Sequence, residues 1–206
     1  MYNFTVPMAL MDYLPVIFFG ITAVLLLRDL YNKMFKGAYS LLAAGCVNVF
    51  MAGFCKATWK LLYAANICDF VVLEKMFLPV NSLGLLFVGL SLIGMLLWKR
   101  RSAMLTAAPV VFSGSVLFIA MMVVGLGGMC ASLSVVAAKM KKAPVIALLV
   151  LSFVCAMGMG YMSSQDSTLA WVNWAEQSIN TVSQLCMMLG VIVLHKNGLK
   201  DWTWEQ

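Results

Sequence analysis

The sequence predicts an all-α polytopic membrane protein: one transmembrane domain over residues 1–206, a seven-helix bundle with its N-terminus outside and its C-terminus cytoplasmic. Three observations predict it. Hydrophobic residues make up 63% of the 206, and a soluble chain of that length leaves about a third of its surface in water. Charged residues are only 11%, against about 25% in soluble domains. The 14 Lys and Arg fall mostly in short groups between apolar runs, where cytoplasmic loops accumulate them. The net charge of +6 therefore marks loops and not a nucleic-acid surface. The partner it implies is a lipid bilayer, most simply the plasma (cytoplasmic) membrane.

A spanning helix needs about 20 mostly apolar residues. The first runs from about residue 10 to 27 and ends at Arg28-Asp29. No basic residue precedes it, so it reads as a retained N-out helix and not as a signal peptide. The second covers 38–63, with Lys56 and Lys60 near its far end. The third covers 76–98 and stops at Lys99-Arg100-Arg101. Then come 37 residues without a charge, 102 to 138. As one helix they would be about 55 Å long, far beyond a hydrocarbon core of about 30 Å. They read as two helices, 102–122 and 127–142, parted by a turn at Gly125-Leu126-Gly127-Gly128. The last two helices are 143–162 and 174–194, ended by His195-Lys196.

Charge arbitrates the count. Seven spans with the N-terminus outside put 11 of the 14 basic residues inside, whereas six spans put six or, inverted, eight there. The positive-inside rule selects seven. Six spans with a re-entrant or overlong segment at 102–138 is the alternative. An echo links Leu14-Pro15-Val16 with Gly20 to Leu78-Pro79-Val80 with Gly84; parallel repeats of this kind occur in transporters.

Ionisable and amide groups inside a membrane are functional candidates by default. At 1.5 Å per residue from each inner boundary, Asp12 lies about 24 Å up, Asn48 about 16 Å, Lys56 about 28 Å and Asn81 about 27 Å. On the last helix Gln184 lies near 18 Å, Asn180 near 24 Å and Glu176 at the outer edge. Glu176, Asn180 and Gln184 follow i, i+4, i+8 and share a face. Asn48 and Lys56 are eight apart, with Lys60 continuing that face. These stripes fade toward the cytoplasmic half, which predicts a polar recess open to the outside with Asn48 or Gln184 as its floor. Lys56 is the natural counter-ion for Asp12 or Glu176, since a charge held near hydrocarbon needs one. The competing reading is structural: amides in membrane helices often only join neighbouring helices.

Other chemistry lacks its motifs. The six Cys show no C-x-x-C spacing, and Cys68 alone falls in a loop. The single His, His195, has no partners spaced for a metal, so no cofactor or metal site is expected. No nucleophile elbow, P-loop or dinucleotide motif occurs. Trp59, Trp98, Trp171 and Trp174 read as interfacial belts. Seven spans with an external N-terminus is the topology of opsin-like and receptor-like bundles, an analogy of fold that says nothing of function. Three functions fit. One is binding or transport of a small polar ligand or ion. Another is a ligand sensor, or a regulatory or scaffold subunit acting on a membrane-protein partner or a second copy of itself. The third is a lipid-modifying enzyme, which no motif supports.

Overall fold

A computed structural model describes residues 5–97, 115–162 and 170–202. Among these residues all regular structure is helical: α1 (Val6–Met11), α2 (Tyr13–Leu30), α3 (Lys36–Ala64), α4 (Val71–Lys75), α5 (Phe77–Leu97), α6 (Ser115–Lys139), α7 (Ala143–Met162) and α8 (Ala170–Lys196). Helices α1 and α2 make one apolar span, Val6–Leu30, and α4 and α5 make another, Val71–Leu97. With α3, α6, α7 and α8 this gives six helices long and apolar enough to cross a membrane among the described residues. The protein is an integral membrane protein built as a helical bundle.

The two interrupted spans break for one reason. Proline lacks an N–H, and its ring crowds the carbonyl four residues earlier. For Pro15 that residue is Met11, the last of α1; for Pro79 it is Lys75, the last of α4. Asp12 and Met76 fill the breaks. The sequence echo thus has a shared local consequence, a bend three residues ahead of each proline.

The expected turn at Gly125–Gly128 is absent. Helix α6 runs unbroken from Ser115 to Lys139. Its glycines serve close approach instead. A Cβ on Gly125 would lie 2.4 Å from the backbone of Leu85, and one on Gly89 would lie 2.4 Å from the carbonyl oxygen of Gly125. On the other side of α5, a Cβ on Gly84 would meet the Val49 backbone nitrogen at 2.9 Å. Helix α5 is therefore wedged between α3 and α6, with a glycine facing each. The expected helix 102–122 falls partly on residues 102–114, which lie outside the described residues, as do Asn3, Trp98 and Lys99 to Arg101.

The spans close into a ring in the order α2, α3, α5, α6, α7, α8, with α8 returning to α2. Side-chain contacts give their directions. Asp12 meets Lys60, so α2 and α3 are antiparallel. Ser183 meets Ser152, so α7 and α8 are antiparallel. Asp29 meets His195, so α2 and α8 run parallel. Leu85 lies on Gly125 and Ile93 on Gly128, so α5 and α6 run parallel as well. The described ends Leu97 and Ser115 consequently lie at opposite ends of the bundle. Around the ring the directions of α2, α3 and α5 repeat in α6, α7 and α8.

One end of the ring gathers Arg28, Lys33, Lys36, Lys139, Lys141, Lys142, Lys196 and Lys200. The half nearest that end is filled with Leu26, Leu30, Leu92, Leu133, Val145, Leu149 and Leu194, all but inaccessible. Burying side chains of this size is the main source of helix–helix cohesion here, through close packing more than through water exclusion. Two polar contacts fasten this end. His195 Nδ1 is 2.8 and 3.0 Å from the two carboxylate oxygens of Asp29. Lys33 Nζ donates to the carbonyl oxygen of Trp202 at 2.6 Å.

Candidate functional site

The half of the ring away from the lysines encloses a cavity of about 130 Å³. Every helix of the ring contributes to it, from the first turns of α2, α5 and α8, the last turns of α3 and α7, and the first half of α6. Asp12, at the proline break between α1 and α2, lies on its wall. Six of the seven residues expected from the sequence line it: Asp12, Lys56, Asn81, Glu176, Asn180 and Gln184. The stripe on α8 therefore does share one inward face. Gln177, also buried, joins it one residue after Glu176.

Asn48 does not line the cavity. Its Cβ is the neighbour a side chain on Gly84 would meet at 3.0 Å, so it faces α5. Eight residues are about 2.2 turns, a rotation of about 80° from Lys56, which carries Asn48 from the cavity to the helix contact. On α8 the same rotation separates Glu176 from Gln184, but the longer glutamine side chain reaches the cavity floor.

The close ionic contact also differs from expectation. Lys60, and not Lys56, approaches Asp12: Nζ to Oδ2 is 2.7 Å, with the two side chains 5% and 8% exposed. Lys56 lies one turn deeper. Its ammonium stands 4.3 Å from the centroid of the Phe77 ring, a cation–π contact. It also interacts electrostatically with Glu176, Asp12, Glu74 and Lys60. The cavity thus holds two cations and two carboxylates within mutual reach, beside apolar walls that include Phe19, Phe50, Phe77 and Met122.

The amides at the floor are poorly satisfied by the protein itself. Gln184 Oε1 is buried and has no hydrogen-bond partner among the described residues. The Asn81 amide nitrogen reaches only the thioether of Met122, at 3.9 Å, a weak acceptor. A buried carbonyl left without a donor costs about 1–3 kcal/mol.

The rim of the cavity is braced separately. Tyr13 and Thr58 share a hydrogen bond of 3.0 Å between α2 and α3. Trp59 Nε1 donates to Asp69 Oδ1 at 2.9 Å, tying the loop after α3 to its last turn. Trp59 is fully buried, so it is not a belt residue; Trp171 and Trp174 are exposed, as a belt requires. Among the described residues no group of His, Cys and acids is disposed to hold a metal, and all six cysteines are free, Cys68 being exposed.

No protein-family model matches the chain, and no curated protein or solved structure matches it either.

Proposed function

We propose that the protein binds a small polar ligand or ion in this recess, taken from the outer side of the membrane. The observation that carries the reading is Gln184 Oε1, an acceptor buried in a charged cavity with no hydrogen-bond partner among the described residues. A polar group kept unsatisfied in a membrane bundle is costly, and a ligand donor removes that cost.

The orientation follows from the distribution of charge. The end carrying most of the lysines is the cytoplasmic one by the positive-inside rule, which leaves the recess at the outer end. The parallel run of α5 and α6 supports seven crossings, because Leu97 and Ser115 stand at opposite ends of the bundle. With seven, the N-terminus is outside and the C-terminus inside.

The recess ends on the apolar half of the ring, where Asp29–His195 and Lys33–Trp202 close the cytoplasmic end. A packed apolar half below the recess favours binding and sensing; a separate polar hollow lined by Lys139, Lys141, Asn197 and Asp201 at the lysine-rich end shares no lining residue with the recess. Transport is the second reading, supported by the repeated direction pattern of α2, α3, α5 and α6, α7, α8. In transport the inner contacts would have to open while the outer rim closes. A lipid bilayer surrounds the ring in either case, and a protein partner or second copy would dock on its lipid-facing helices.

Native mass spectrometry of the purified protein tests the reading. A bound species of small mass is expected, and it should be lost from a Gln184→Leu variant. A protein that carries nothing, together with a Gln184→Leu variant more stable than the parent, would overturn it.

A further inference from the structure

We infer that the recess takes a small zwitterion: a molecule with an ammonium and an acid group a few bonds apart, and about five or six non-hydrogen atoms. The inference rests on the ligand-recess reading above and adds the chemical class.

Size sets the first bound. A cavity of about 130 Å³ is close to the roughly 150 Å³ of an engineered cavity that admits benzene. Six heavy atoms are therefore about the limit without movement of the walls. A sugar ring or a nucleobase with its ribose is too large.

Charge sets the second. Among the lining residues Asp12 and Glu176 match Lys56 and Lys60, with Glu74 acting on Lys56 from off the wall, so the wall itself has no net charge to offer. A ligand of net charge would stay uncompensated in a low-dielectric wall, a large cost. A ligand with no charge would leave the ordered dipole of the site unused. A zwitterion brings equal and opposite charges and can align them with the charges already there.

Hydrogen bonding sets the third and fixes the orientation. Gln184 Oε1 needs a donor, and an ammonium supplies up to three. Glu176 and Gln184 lie on the same face of α8, so the ammonium belongs on that wall. Opposite it, Lys56 and the Asn81 amide nitrogen, now against a sulfur at 3.9 Å, are donors suited to the acid group. Phe77, which already stacks on Lys56, walls the space between. The same chemistry has two natural sources: a free amino acid such as glycine, which fits whole, and the larger ethanolamine-phosphate headgroup of a lipid in the outer leaflet, which meets the size limit only with its phosphate held at the mouth of the recess.

The test is thermal unfolding of the detergent-purified full chain with glycine, acetate, methylammonium or urea at equal ionic strength, and in nanodiscs with or without phosphatidylethanolamine. Glycine should raise the melting temperature in a saturable way. Lys56→Met and Asn180→Leu should each weaken that effect at least tenfold in concentration, read against each variant's own unliganded melting temperature. Two variants keep the test valid should one fail to fold. If glycine is inert but phosphatidylethanolamine stabilises the parent and not the variants, the class stands and the source is the lipid. Stabilisation by acetate or methylammonium alone at or below the effective glycine concentration overturns the class, as does stabilisation by urea alone. So does inertness of every probe. A non-zwitterionic small molecule found bound by mass spectrometry would overturn the class and leave the recess reading intact.

Discussion

His195 directs Nδ1 at both carboxylate oxygens of Asp29, at 2.8 and 3.0 Å, across 166 positions of sequence. The contact joins the lysine-rich ends of α2 and α8, the two parallel helices whose other ends carry Asp12 and Glu176. The Asp29 side chain is wholly buried and that of His195 is 29% exposed.

This predicts an asymmetry between the two residues. His195→Ala leaves a buried carboxylate without its donor and should cost about 2 kcal/mol. Asp29→Asn combined with His195→Gln keeps a neutral hydrogen-bonding pair and should recover much of that loss. A double-mutant cycle by unfolding in mild detergent checks it, with a coupling of about 0.5–3 kcal/mol expected for residues in direct contact.

The pair at the rim should behave more severely. Asp12 and Lys60 are both nearly inaccessible, so Lys60→Met strands a charge and should destabilise by about 3–5 kcal/mol. Adding Asp12→Asn should restore most of it, because a buried pair replaced by neutral groups of similar volume is often near-neutral. Lys56→Met should cost less, since Lys60 is the cation in direct contact with Asp12 while Lys56 rests against the Phe77 ring. The melting temperatures of the three single and double variants decide the order.

The glycine contacts predict opposite outcomes for one substitution at two places. Gly125→Ala puts a methyl group 2.4 Å from the Leu85 backbone, which must separate α5 from α6; a loss of about 1–3 kcal/mol is expected. Gly160→Ala meets nothing within 4 Å and should be neutral or stabilise by up to about 1 kcal/mol, through helix propensity and a less free unfolded chain. Parallel melting curves of the two variants check both.

Much of the recess was legible because a helix fixes which residues share a face. Glu176, Asn180 and Gln184 had to point one way, and that way could not be lipid. Asp12, Lys56 and Asn81 followed from the same cost of exposing polar groups to hydrocarbon. What depended on packing was not legible. Lys56 and Lys60 are one turn apart on one face, and only the bend at Asp12 decides which of them meets its carboxylate. Asn48 drifted off the face by a rotation that spacing alone does not weigh against side-chain length. The pairing of Asp29 with His195 needs the ring order, since nothing local links the two. Gly125 to Gly128 carried two meanings, turn or close approach. The proximity of α5 gives them the second, and no sequence pattern announces that neighbour.

Access to the recess from outside is the central claim, and one labelling experiment tests it most directly. In a background with the six native cysteines replaced, Asn180→Cys is treated in intact cells with a small thiol reagent that does not cross membranes, and Lys141→Cys serves as the cytoplasmic control. The account predicts that position 180 labels in intact cells, that position 141 labels only after permeabilisation, and that the ligand found in the recess slows labelling at 180. Labelling of position 141 from outside, with position 180 protected until the cells are opened, would contradict it.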